Sequence, residues 1–214
     1  MSSHARWTEQ RGKRPARVAN CSGYKADPGY KMLEQASLGD VDFITGDYLA
    51  EVNIAENAEA MVAGTHPGYE FTAWDGIQQS IDVLNEKRIK VIVNGGALNP
   101  RGLAERVCKL VKEKGYGLKV AWIEGDNLLA EAKEMARNGE LPPHLDSGNE
   151  DVHVAKGVTQ SPDSQKKPIV SANAYLGARE ITKALELGAD IVIAGRVADA
   201  SPVSFMKTTD EKHL

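Results

Sequence analysis

The sequence predicts an α/β protein built on a mainly parallel, doubly wound, Rossmann-like sheet of about six strands. Three observations carry this. Short runs rich in Val and Ile, each closed by Gly, Asn or Asp, recur along the chain. Between them, apolar residues repeat at spacings of three and four. The two patterns alternate, as strands joined by crossover helices do. An incomplete TIM-like barrel is the alternative fold, although a full barrel takes eight strands.

The expected strands lie at 16–21, 41–45, 90–94, 118–124, 168–172 and 190–194. Their near-continuous apolar character suits parallel strands covered on both faces. Trp74, Ile77, Ile81 and Leu84 mark one helix, and Leu103, Val107, Leu110 and Val111 another. Leu176, Ile181, Leu185 and Leu187 fit a third, with Gly188 where a helix-ending glycine belongs. Two helical stretches, 49–64 and 72–88, separate the second strand from the third.

A chain of 214 residues suits one domain. Residues 1–15 read as a flexible, solvated basic tail, with an organelle-targeting segment as the alternative. A single α/β domain is expected over 16–206, with a polar tail at 207–214. The stretch 138–167 is polar and carries Pro142, Pro143, Gly148, Gly157 and Pro162, so it reads as a disordered loop or a lid.

The composition is that of an ordinary globular protein, 42% hydrophobic and 26% charged. A net charge of −4 gives no reason to expect nucleic acid. No apolar run approaches membrane-spanning length. Cys21 and Cys108 show neither zinc-site nor disulfide-framework spacing, which fits a reducing compartment. The expected location is the cytoplasm, with the mitochondrion as the alternative.

Ligands of open α/β sheets bind outside the carboxyl ends of the strands. The residues there are unusually polar. They include Asn20, Gly46, Asp47, Asn94, Gly95, Gly96, Glu124, Asp126, Asn173, Tyr175, Arg196 and Asp199. In the run Asn94-Gly95-Gly96-Ala97-Leu98-Asn99-Pro100, Asn99 suits a helix N-cap and Pro100 the first helical position. Unbonded backbone N–H groups would hold a phosphate or carboxylate there; otherwise the run is a capped turn. The spacing matches neither the dinucleotide-binding nor the P-loop pattern.

Asp47, Glu51, Glu124, Asp126 and Asp199 gather carboxylates at the same edge. They suit acid–base work by Asp47, Glu124 and Asp126, Mg²⁺ binding by Asp47, Glu51 and Asp126, or helix capping. Arg196 either pairs with Asp199 or clamps a substrate anion. Cys21 reads as a small buried hydrophobe rather than a nucleophile, since no histidine lies near a strand end. His66, His144 and His153 lie in loops, the last two near Asp146, Glu150 and Asp151, at spacing too irregular for a metal site.

Six segments in order resemble the acyclic terpene utilisation (AtuA) family. They are Arg17-Val-Ala-Asn-Cys-Ser-Gly23, Asp42-Phe-Ile-Thr-Gly-Asp-Tyr-Leu-Ala-Glu51, Val93-Asn-Gly-Gly-Ala-Leu-Asn-Pro100, Val120-Ala-Trp-Ile-Glu-Gly-Asp126, Ser171-Ala-Asn-Ala-Tyr-Leu-Gly177 and Gly188-Ala-Asp-Ile-Val-Ile-Ala-Gly-Arg-Val-Ala-Asp-Ala-Ser201. The resemblance implies breakdown of acyclic terpenes and branched acids as coenzyme A thioesters, and leaves the chemical step open. Family members are typically longer, so a catalytic part carried later is expected to be missing from this chain. The chain therefore reads as an enzyme or enzyme fragment acting on a small acidic or acyl-CoA-type substrate. The rival is a non-catalytic binding or assembly subunit, or an inactive truncated paralogue. Expected partners are an anionic or acyl-CoA ligand, a second copy of the chain, or acyl-CoA carboxylases of the pathway.

Overall fold

The computed structural model describes residues 13–143, 145–153 and 168–208. The expected tails fall largely outside that range, as do residues 144 and 154–167 of the expected lid, while Leu145–Gly148 of that stretch form a short 3-10 turn. The strands are β1 (Val18–Asn20), β2 (Phe43–Gly46), β3 (Lys90–Val93), β4 (Val120–Ile123) and β5 (Ile191–Ala194). They form one open sheet in the order β1-β2-β3-β5-β4, and every pairing is parallel.

β2, β3 and β5 are buried along their whole length, which is why they read as unbroken apolar runs. β1 and β4 are edges and partly exposed. Alternate residues feed two cores. Ile44, Val91, Val93, Ile191 and Ile193 face one side, while Phe43, Ile92, Val192 and Ala194 face the other. Each fully buried side chain of this size contributes about 1.5–3 kcal/mol of transfer free energy.

The first face is covered by α1 (Tyr30–Leu38), α3 (Phe71–Lys87) and α4 (Pro100–Glu113). α3 buries the expected stripe of Trp74, Ile77, Ile81 and Leu84. It crosses α1 closely at Gly29 and Gly76, since a side-chain carbon at Gly29 would lie 2.6 Å from the Gly76 nitrogen. The second face carries α6 (Arg179–Glu186), whose Ile181 is fully buried, and α7 (Ser201–Thr208) against α6. α2 (Glu51–Val62) stands at the carboxyl edge after β2, and α5 (Leu129–Asn138) follows β4 without burying a residue.

The sheet has five strands, one fewer than expected, because the run at 168–172 forms no ladder. Its apolar residues, Ile169 and Val170, stay half-buried. The segment instead runs antiparallel to the loop after β4, with Leu128 N–H donating to the Ala172 carbonyl and a bridge between Asn127 and Asn173. β5 fills the slot between β3 and β4. The winding direction reverses there, which opens a crevice at the carboxyl ends. Among the described residues, no helix is long and apolar enough to cross a membrane.

Candidate functional site

The ends of β2 and β3 are knitted by Asn94, which is fully buried. Its Oδ1 accepts the Tyr48 N–H at 2.7 Å and its Nδ2 donates to Asp47 Oδ1. Asp47 therefore serves as an acceptor that orders this turn. Gly46 leaves room for the Tyr48 ring, which would lie 2.5 Å from a side-chain carbon there. Asn20 bonds the Ser22 carbonyl and the Thr45 hydroxyl. It shapes the end of the edge strand β1.

Asn99 caps α4 as expected, accepting Gly102 N–H at 2.9 Å with Pro100 in the first turn. The amides around it do not form an open anion cradle. Gly96 N–H bonds the Ala194 carbonyl, Ala97 that of Asn94, Leu98 that of Gly68 and Asn99 that of Gly96. The expectation of unbonded N–H groups fails from Gly96 to Asn99, which spend theirs on β5, on the loop before α3 and within the turn itself. The two glycines are demanded by packing. A side-chain carbon at Gly95 would lie 2.3 Å from Ala73 Cβ, and one at Gly96 2.6 Å from the Ala194 oxygen.

Asp126 joins the ends of β4 and β5. It is buried, and its Oδ2 accepts both Asn173 Nδ2 and the Arg196 N–H at 2.9 Å. Its carbonyl accepts Ala174 N–H at 2.7 Å. Gly195 permits this approach, since a side-chain carbon there would meet Asp126 Oδ1 at 2.6 Å.

Arg196 is itself 2% exposed. Its Nη1 donates to the Leu49 carbonyl at 2.9 Å and meets Asp199 Oδ1 at 3.0 Å. Its Nη2 lies 3.3 Å from Glu51 Oε1, and the Tyr175 ring covers the guanidinium at 4.0 Å. Tyr175 in turn donates its hydroxyl to Glu51. Arg196 thus pairs with Asp199, as one of the two sequence readings expects, and with Glu51 as well.

One cleft opens at this edge, with a volume of about 220 Å³. Ala97, Leu98, Asn99 and Pro100 form one wall, and Glu124, Asp126, Asn127 and Asn173 the other. The first wall continues into a small apolar cluster of Leu49, Ile54, Ala97 and Leu98. Of the expected acids, Glu124 and Asp126 meet here. Asp47 and Glu51 are engaged by Asn94 and by Arg196 with Tyr175.

Among the described residues, no three His, Cys, Asp or Glu come together as metal ligands. The Mg²⁺ set of Asp47, Glu51 and Asp126 is not assembled, because each carboxylate is held by a different donor. Cys21 is buried against the Tyr48 hydroxyl at 3.5 Å, and burial pushes its thiol up to about 11. His66 accepts Gly68 N–H through Nδ1 and packs edge-on against Phe71.

Sequence reasoning missed two participants. Asn127 lines the cleft directly beside Asp126, and its place after a strand-end acid was the available signal. Asn53 links the Tyr48 carbonyl at 2.9 Å to the buried Glu70 carboxylate at 2.7 Å. No local pattern betrays that pairing.

Curated proteins and solved structures give no match to this chain. The profile of the acyclic terpene utilisation family protein AtuA matches residues 16–206, nearly the whole chain and all five strands. The chain belongs to the AtuA family.

Proposed function

We propose that this chain is an enzyme, or the substrate-binding part of one, acting on a small acyl substrate in terpene or branched-acid catabolism. The family's tie to acyclic terpene utilisation supports the pathway. The cleft supports the substrate class. One wall offers Ala97, Leu98 and Pro100 to a branched carbon chain, with Asn99 among them, and the other offers carboxylates and amides. Its volume, about 220 Å³, lies below that of pockets burying a drug-sized ligand. It therefore suits an acyl group, with a carrier such as coenzyme A lying outside.

The observation that carries the reading is the contrast between the two acids. Asp126 is buried and committed to two donors, while Glu124 is exposed at the same cleft. Glu124 is the group placed to exchange a proton with a bound ligand, and Asp126 positions the wall around it. The rival, a non-catalytic binding subunit, draws on the same fact that most strand-end acids serve internal hydrogen bonds.

The test is incubation of the full chain with branched acyl-CoA thioesters, with and without Mg²⁺, and mass spectrometry of the products. Turnover should fall by about 10²–10⁴-fold in Glu124→Gln, with binding retained. Calorimetric binding without turnover in the wild type would favour the binding subunit. Absence of both would defeat the proposal.

A further inference from the structure

We propose that the Arg196 guanidinium is a gated receptor for an anionic group, a carboxylate or a phosphate, kept closed in the free chain by Glu51 and Tyr175. The inference does not rest on the catalytic role proposed for Glu124.

A guanidinium receives a carboxylate best through two parallel N–H bonds. The edge formed by Nε and Nη2 is one such fork. In Arg196 that edge is poorly used. Nη2 has one contact, 3.3 Å long, to Glu51, and Nε is buried with no partner at all. A buried donor left unpaired is unfavourable and rare in folded proteins. The opposite side is well used, with Nη1 at 2.9 Å from the Leu49 carbonyl and 3.0 Å from Asp199. Arg196 is thus anchored through Nη1 while its forked edge stays unsatisfied.

What covers that edge is weakly held. Glu51 sits in the first turn of α2 with its side chain 77% exposed, so it reaches inward from solvent to a charge that is 3% exposed. Tyr175 lies over the guanidinium and is 52% exposed. The two are coupled, because the Tyr175 hydroxyl donates to Glu51. The backbone on either side of Tyr175 is fixed, by Ala174 N–H to the Asp126 carbonyl and Leu176 N–H to that of Arg196. Rotation of the Tyr175 side chain, with release of Glu51 to water, exposes the fork without unfolding the segment. An incoming carboxylate or phosphate then replaces one long contact with two N–H bonds.

The test is calorimetry on the full chain with propionate, inorganic phosphate and neutral propionamide, followed by spectra of the arginine Nε–H groups. Glu51→Gln removes the internal competitor and should tighten anion binding by up to about fivefold, the range of an exposed ion pair. Tyr175→Phe, which frees Glu51 but keeps the ring, should tighten it by less. One Nε–H signal should shift on anion addition and be absent from Arg196→Met. Preference for propionate assigns the site to carboxylates, and preference for phosphate assigns it to phosphates. The proposal is overturned if propionamide binds as well as propionate, or if both latch variants bind anions no tighter than the wild type. It also falls if no Nε–H signal moves. Since Glu124 makes no contact in this latch, anion binding that survives Glu124→Gln separates this proposal from the catalytic one.

Discussion

The Arg196 backbone N–H donates to the Asp126 carboxylate at 2.9 Å, across 70 residues of sequence. One buried acid thereby ties the loop after β4 to the loop after β5 and, through Asn173, to the segment between them. Asp126→Ala should cost about 1–3 kcal/mol, because the buried Arg196 N–H and the part-buried Asn173 amide lose their acceptor. Asp126→Asn should cost less, since its amide oxygen still accepts. Denaturant unfolding measures both. A loss below about 0.5 kcal/mol in the alanine variant, the scale of an ordinary surface change, would rule out this structural role.

The glycines at the strand ends differ in why they are glycine. Gly95 and Gly96 are crowded, whereas Gly125 has open space around it and a φ of +113°. Gly96→Ala should destabilise by about 1–3 kcal/mol through overpacking. Gly125→Ala should cost about 1–2 kcal/mol through backbone strain alone. The mechanisms separate in the partner positions. Ala73→Gly should partly rescue Gly95→Ala by making room, whereas no neighbour can rescue Gly125→Ala. Thermal unfolding of the double variant decides it.

The two cysteines should behave oppositely. Cys108 is exposed and Cys21 buried, so alkylation of the native chain at neutral pH should label Cys108 alone, as peptide mass spectrometry would show. The Cys21 thiol keeps its proton to about 11 in the folded chain, against an ordinary value of 9.0. The unfolded chain therefore loses that proton first, and binds fewer protons than the folded one between those values. Stability should fall as pH rises through this window. Tyr48, pushed up chiefly by burial, adds the same sign. Cys21→Ala should flatten part of the fall, and an unchanged pH profile would contradict the assignment.

The parts of the fold that sequence revealed are those where one physical demand acts alone. β2, β3 and β5 are buried on both faces, so their apolar runs are unambiguous. The stripe on α3 is equally plain. At 168–172 the run contains only Ile169 and Val170 as large apolar residues, and the segment bonds to the loop after β4 around Asp126 and Asn127 instead of to a strand. α1 was hidden because it buries only Met32 and Ala36, and α5 because it buries nothing. Strand-end polarity located the edge that carries the cleft. It did not tell which acids stay open, since Asp47 meets Asn94 and Asp126 meets Arg196 across long separations in sequence.

That hidden pairing supplies the sharpest test of the edge. Asn94 donates to Asp47 through its amide nitrogen and accepts from Tyr48 through its oxygen, and it is fully buried. Asn94→Asp keeps the shape and the acceptor for Tyr48 but sets two carboxylates against each other. It should destabilise by about 3 kcal/mol at neutral pH, the scale of an uncompensated buried charge. The pair would then hold a shared proton more tightly when folded than when unfolded. Its penalty should therefore shrink as pH falls, opposite to an acid held by a cation. Asp47→Asn alone should cost little, because an amide oxygen still accepts from Asn94. Combining Asp47→Asn with Asn94→Asp reverses the pair, with the new amide at position 47 donating to the new carboxylate at position 94. The double variant should recover much of the loss, giving a coupling of about 1–3 kcal/mol in a double-mutant cycle. Denaturant unfolding of all four proteins at neutral and mildly acidic pH measures it. Additive losses with no pH dependence would show that Asp47 and Asn94 do not meet as described.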